Sequence, residues 1–248
     1  MTKVSGRLNR LAESATLAMA RMSRELQAKG INIIALSLGE PDFDTPEFIK
    51  EAAKKAIDDN FSHYTPVPGL PELRSSISAK FKRDNHLEYT PDQIVVSTGA
   101  KQSLANVCLS LLDPEDEVLL PCPYWVSYAE IIKLAEGVPV EIKSTIDSDF
   151  KITPSQLEAS ITSRTKMIMF SSPCNPSGTV YTQSELEAIA KMLDKYPNIY
   201  IVSDEIYEHI NFTDKHYSIG TISSMKDRTV TVNGVSKGFA MTGWRVGF

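Results

Sequence analysis

Lys237 stands among small residues in "NGVSKGFAMTGWRVGF", between Ser236 and Gly238, and Arg245 follows it in the same stretch. A lysine stripped of water beside other positive charge has a lowered pKa, and its neutral amine can form a Schiff base with an aldehyde. A solvated lysine is the commoner fate of this residue type, so the neighbours must decide. Asp204 ends the apolar run "IYIVSD". A carboxylate there either caps a helix opened by "DEIYEH" or pairs with a buried cationic ring nitrogen, because an unpartnered buried charge is costly. Tyr207 can project from the same side. Asn175, in "SSPCNPSG", offers a planar amide, with a turn role as the plain alternative. Gly99, Ala100 and Lys101, in "STGAKQ", mark a turn into a helix whose N–H groups and dipole favour an anion. Many strand–helix turns share that pattern, but Ser236 and Arg245 add a hydroxyl and a charge for the same anion.

Taken together these groups describe one ligand. An anion cradle, a carboxylate for a ring nitrogen, a phenol and an amide for a ring hydroxyl, and an amine for an aldehyde match pyridoxal 5′-phosphate, whose protonated ring is an electron sink. Other ligands lose their usual signatures. No strand leads into G-x-G-x-x-G, and the chain has no G-x-x-x-x-G-K-[ST], no H-E-x-x-H and no paired C-x-x-C. His63, His86, His209 and His216 are scattered and read as surface or packing residues.

The elements that must carry these residues alternate from residue 93 onward. "QIVVSTG", "EVLLP", "PVEIK", "KMIMFSS", "IYIVSD" and "TVTVNG" read as strands. Amphipathic helices separate most of them, and two open on capping boxes, Thr153 with Gln156 and Thr182 with Glu185. Nearly continuous apolar strands alternating with helices predict an α/β fold, a mostly parallel doubly wound sheet with helices on both faces. Ligands of such sheets bind beyond the carboxyl ends of the strands, where all the residues above fall. Upstream, "TLAMARMSRELQAK" reads as a helix, "INIIAL" as a short strand, and "LPELRSSISAKFKRDN" as a further helix. With 42% hydrophobic and 23% charged residues the chain can bury a core, and its net charge of −5 argues against coating nucleic acid or an anionic membrane. The odd set Cys108, Cys122 and Cys174 fits a reducing, cytoplasmic compartment. The amino terminus lacks a signal peptide's apolar core, and no segment is apolar for long enough to span a membrane.

The whole pattern resembles the class I/II aminotransferases, fold-type I pyridoxal-phosphate enzymes, and within them the bacterial aspartate aminotransferase branch. "GVSKGFAMTGWRVG" carries the likeness most specifically. "SLGEPDFDTP", "YTPVPGLPELR", "PYWVSY", "SSPCNPSG" and "VSDEIYEHI" follow in the family's order. The resemblance implies that Lys237 holds the cofactor as a Schiff base and moves the substrate Cα proton, that Asp204 pairs with the ring nitrogen, and that Tyr207 and Asn175 bond the ring hydroxyl. Trp125 is then the ring-stacking residue. Gly99, Ala100, Lys101, Ser236 and Arg245 surround the phosphate, and Tyr64 reaches the phosphate of a neighbouring subunit, which implies a homodimer with shared sites. Gly39 meets the substrate carboxylate, while Thr16 and Lys101 match positions associated with the distal carboxylate of aspartate or glutamate. Trp125 and Asn175 also face the substrate.

The same likeness divides the chain into an N-terminal arm with part of a small domain, residues 1–45, and a cofactor-binding large domain, 46–248. Family members are about half as long again. The expectation is therefore a truncated large domain with the C-terminal small domain largely missing, and with it the arginine that grips the substrate α-carboxylate. "TGWRVGF" reads as the start of a strand, with Phe248 left without burying neighbours. The favoured reaction moves an amino group between aspartate and 2-oxoglutarate. Prephenate or an aromatic amino acid is the alternative substrate, elimination or α-synthesis the alternative chemistry, and a non-catalytic module or inactive fragment the alternative to an enzyme.

Overall fold

Strands that are apolar on both faces need cover on both faces, and this chain provides it. The computed structural model describes residues 4–12, 15–34, 38–213 and 215–248. β1 (Glu117–Pro121), β2 (Val138–Ile142), β3 (Thr165–Ser171), β4 (Tyr200–Asp204) and β5 (Thr229–Val232) form one sheet in the order β2-β1-β3-β4-β5. Each neighbouring pair is parallel. The α-helices are α1 (Gly6–Asn9), α2 (Ala15–Ala28), α3 (Glu47–Asp58), α4 (Pro71–Lys80), α5 (Ala100–Leu111), α6 (Ser127–Leu134), α7 (Pro154–Ser160) and α8 (Gln183–Leu193).

Alternation along the strands sorts the core into two layers. Leu119, Ile168, Phe170 and Ile201 pack with Leu157 of α7 and with Leu186, Ile189 and Leu193 of α8. Val118, Leu120, Met167, Met169 and Val202 pack with Leu104 and Cys108 of α5 and with Tyr128 and Ile132 of α6. Successive residues of one strand thus serve opposite faces. Both expected capping boxes form, each threonine hydroxyl accepting from the third helical N–H. The sheet also levels its carboxyl ends, because Ser171 pairs with Asp204 and Asp204 with Val232. Strand order reverses between β1 and β3, which opens a crevice beyond those ends.

Several segments depart from the sequence reading. "QIVVSTG" makes no strand: Ser97 alone pairs, in an antiparallel bridge with Gly247, and one bridge is too short a ladder. Between this segment and β5 lies a slot of about 630 Å³ lined by Phe81, Ile94, Val107, Val230, Val232 and Phe248. Residues 31–34 are irregular, and the rest of the strand expected in "INIIAL" lies outside the described residues. "TGWRVGF" begins as a 3₁₀ turn over Thr242–Trp244, with Arg245 left-handed at φ 58°, before Gly247 bridges Ser97 and Gly234. Phe248 does have neighbours: its ring meets that of Phe81 edge-on at 5.6 Å. The helix begun at Pro71 widens into a π turn over Phe81–Asn85. That turn lets Lys80 reach Asn85 Oδ1 at 2.7 Å while both side chains donate to Glu208.

Ile168 is 1% exposed in the central strand, and its cost of truncation is set by the volume left empty. Ile168→Ala is expected to lose about 2–5 kcal/mol and Ile168→Val about 0.5–1.5 kcal/mol in urea unfolding. Equal losses would contradict a tightly packed layer at this point.

Candidate active site

A cavity of about 370 Å³ opens beyond the carboxyl ends of the strands. Thr16, Gly39, Ala100, Lys101, Trp125, Asn175, Asp204, Tyr207, Ser236, Lys237 and Arg245 all line it. They come from the turns after β1, β3, β4 and β5, from the start of α5, and from the amino-terminal segment. Two expected site residues lie elsewhere. Gly99 sits just behind the wall as the N-cap of α5. Tyr64 is fully exposed and contributes nothing to this chain's cavity.

Lys237 is half-buried, and its Nζ donates to the Gly39 carbonyl at 2.5 Å and lies 5.8 Å from the Tyr207 ring centre. Burial lowers its pKa, Glu40 opposes that effect, and Arg245 adds to it. The amine is therefore neutral at a lower pH than a surface lysine. Residues 39–45 are fastened to the lysine loop by further bonds, from Thr242 Oγ1 to Glu40 and from Thr45 Oγ1 to the Ala240 carbonyl at 2.7 Å.

Asp204 is 4% exposed and takes part in no ion pair among the described residues. Its Oδ2 accepts from the Tyr128 hydroxyl at 2.6 Å and its Oδ1 from the Ile206 N–H at 3.2 Å. The second bond closes a turn; no helix follows, so the helix-capping alternative for Asp204 fails. Burial raises its pKa from 3.8 to about 6 against the pull of those two donors. Across the cavity Asn175 Nδ2 donates to Tyr207 Oη at 3.3 Å. Burial, then the Asp204 charge, raise the Tyr207 phenol above its ordinary pKa.

The anion end is built around Gly99, at φ +86°. A Cβ there would fall 2.0 Å from Arg245 Nη2, so only glycine lets the guanidinium lie against the start of α5. Arg245 Nη1 donates to the Thr242 carbonyl at 2.7 Å, which holds the side chain in place. The first N–H groups of α5 have no acceptor within the helix. Lys101 Nζ sits 4.8 Å over the Trp125 ring, and its pKa is lowered by burial and then by Arg245.

These features fit pyridoxal phosphate. A glycine-lined helix start beside an arginine suits the phosphate, and a buried carboxylate without a cation suits a protonated ring nitrogen. The Lys237 amine, its pKa lowered by burial, lines the same cavity. A larger recess of about 820 Å³ at the other ends of the strands is less suited, because the Arg228 donors there already bond the carbonyls of Leu193, Tyr196 and Ile199. The described residues contain no cluster of three or more metal-binding side chains.

Sequence reading missed Tyr128, Glu208 and the bonding role of His216. Tyr128 forms the floor under Asp204; the only hint was its place one helical turn after Trp125. Glu208, beside Tyr207, accepts from Lys80, from Asn85 Nδ2 at 2.5 Å and from Asn233 Nδ2 at 2.9 Å. It ties the turn after β4 to the turn after β5 that leads to Lys237, and its partners are far away in sequence. Nor are all the histidines bland. His216 Nε2 lies 3.0 Å from the buried Glu205 carboxylate, and His209 packs so closely on Gly238 that a Cβ there would meet its ring at 2.7 Å.

Comparison with known proteins identifies the family. The chain is 50% identical over its whole length to a probable aspartate/prephenate aminotransferase of Rickettsia typhi, of which it spans 63%. It is 48% identical to the aspartate/prephenate aminotransferase of Cereibacter sphaeroides, spanning 62% of it. The solved aspartate aminotransferase of Thermus thermophilus with maleate superposes at a TM-score of 0.96 with 44% identity, covering 100% of this chain and 64% of that one. The chain thus spans less than two thirds of the length of each of these relatives. The family model "Aminotransferase class I and II" matches residues 31–248, and the chain belongs to this family of pyridoxal-phosphate-dependent enzymes.

Proposed function

We propose that this chain carries the cofactor-binding part of an aminotransferase that moves an amino group between aspartate and 2-oxoglutarate. The observation that carries the reading is the meeting of Lys237, Asp204, Asn175, Tyr207 and Arg245 in one cavity despite their separation in sequence. Bound there, pyridoxal phosphate would supply an aldehyde for an amine and a protonated ring that draws electrons from the substrate Cα. Arg245 and the N–H groups at the start of α5 bind the phosphate. Asp204 would pair with the ring nitrogen, Tyr207 and Asn175 would bond the ring hydroxyl, and Trp125 would hold the ring. Lys237 Nζ would be the amine for that aldehyde and the group that carries the substrate Cα proton. Desolvation, which lowers the pKa of that amine, suits it to both roles.

Substrate choice rests on charge. With Arg245 given to the phosphate and Lys237 to the aldehyde, Lys101 is the cation left on the substrate side beside Gly39 and Thr16, which favours a substrate with a distal carboxylate. Prephenate is the second reading, favoured by the names of the curated relatives. Residues 46–248 form the large domain in this reading, and 1–45 an arm with part of a small domain. Phe43, Phe48, Ile57, Phe61, Tyr64 and Val67 are all exposed. We assign them to a face that meets a second copy, with Tyr64 reaching the partner's phosphate. No described helix is long and apolar enough to cross a membrane, and a cytoplasmic location is proposed.

Pyridoxal phosphate added to the 248-residue chain is expected to give a visible absorbance band that borohydride abolishes, and Lys237→Ala is expected to give none. Single-turnover mixing reads the chemistry without needing fast catalysis. Aspartate should bleach the band and 2-oxoglutarate restore it, whereas release of ammonia or pyruvate would move the assignment to elimination. A second test uses the sign of the Asp204 shift. Because its folded pKa is raised, Asp204 contributes stability in its protonated form, and that contribution is lost as pH rises from 3.8 through about 6. Asp204→Asn should therefore unfold at no lower urea than the parent above that pH, yet bind the cofactor about tenfold more weakly or worse.

A further inference from the structure

Tyr128 belongs to none of the residues that pointed to the cavity, and no part of it meets water. It lies on α6, and its ring is fixed from two sides. Trp125 meets it edge-on at 5.6 Å and Tyr124 stacks at 6.5 Å. From that seat its hydroxyl donates to Asp204 Oδ2 at 2.6 Å. Asp204 thus has one donor on each oxygen, Tyr128 and the Ile206 N–H, and still lines the cavity.

We propose that Tyr128 is a positioning residue for the cofactor, its hydroxyl holding Asp204 ionised and aimed so that affinity is governed through the ring nitrogen. This rests on the reading of the cavity as a pyridoxal-phosphate site. A donor bonded to a carboxylate stabilises the charged form over the neutral one. The phenol itself stays protonated, because burial and then the adjacent Asp204 charge push it well above its ordinary pKa.

No other group takes over this task. Glu205, next in sequence, pushes Asp204 toward the neutral form, and its own carboxylate is engaged with Ser203 and His216. Tyr207 is raised in pKa by burial and by Asp204, and it accepts from Asn175. Lys237 and Arg245 share the cavity, but they bond the carbonyls of Gly39, Thr242 and Thr98. Among the described residues only the Ile206 N–H would remain on Asp204 once the hydroxyl is gone. Asp204 would then take up its proton at a higher pH than about 6. A neutral carboxyl does not pair with a ring cation, so the pH below which the cofactor is lost should move up.

The test titrates the 248-residue chain and Tyr128→Phe with two compounds on both sides of that pH. One is pyridoxal phosphate; the other is its deaza analogue, with C–H in place of the ring nitrogen. Tyr128→Phe is expected to bind pyridoxal phosphate about tenfold more weakly, with its acid limit shifted upward, and the analogue as well as the parent does. Equal loss for both compounds would make Tyr128 a packing residue and overturn the proposal. So would unchanged affinity and an unchanged acid limit. A folded parent chain that binds no pyridoxal phosphate would instead sink the site reading itself, and the proposal with it. Urea unfolding checks that the variant is folded. Should Tyr128→Phe fail to fold, Tyr128→His and Tyr128→Leu replace it, and only the first, which keeps a donor, should retain nitrogen-dependent affinity.

Discussion

A negative charge without a cation, sealed at the end of the strand β4, is the constraint around which this molecule is arranged. Asp204 is nearly inaccessible, and burial alone would neutralise it. Two donors oppose that: Tyr128 from the helical layer and the Ile206 N–H from the following turn. Parallel pairing of β3, β4 and β5 then fixes the height at which the carboxylate stands relative to the turns carrying Asn175 and Lys237. The sheet decides position, and the helical layer supplies a donor that favours the charged form.

A second buried carboxylate does a different job. Glu208 accepts from Lys80, Asn85 and Asn233, and the Lys80 pair offsets the burial that would otherwise raise its pKa. It is satisfied within the protein and joins three segments. Asp204, a few residues away, has a donor on each oxygen but no cationic partner among the described residues. The contrast separates a group that locks the scaffold from one that lines the cavity without an ion-pair partner among the described residues.

Most of the architecture was legible in the sequence because hydrophobic period and capping chemistry are local signals. Thr153 with Gln156 and Thr182 with Glu185 opened the helices where expected. The apolar strands fell into the expected parallel sheet. Two kinds of feature were not legible. "QIVVSTG" has strand composition, but a strand exists only with a partner, and its sole bridge comes from Gly247. Tyr128 and Glu208 matter through single contacts to residues distant in sequence, which no periodicity records. Lys237, Asp204 and Arg245 could be picked out because an ionisable residue in an apolar or glycine-rich setting is conspicuous in the sequence itself. Whether they shared a cavity depended on strand order, which no motif contains.

The slot between β5 and the segment around Ile94 shows what sets the distance between two parts of the backbone. One wall is the outer edge of the sheet, and the other is irregular backbone that pairs only at Ser97. An ordinary sheet edge offers an incoming extended peptide one row of main-chain bonds. Here residues 246–248 run antiparallel to Ser97 on one side and to the turn after β5 on the other, so the mouth of the slot already has backbone bonds on both sides. Through Gly247 a single residue joins the two walls, which sets their spacing there at the width of one strand.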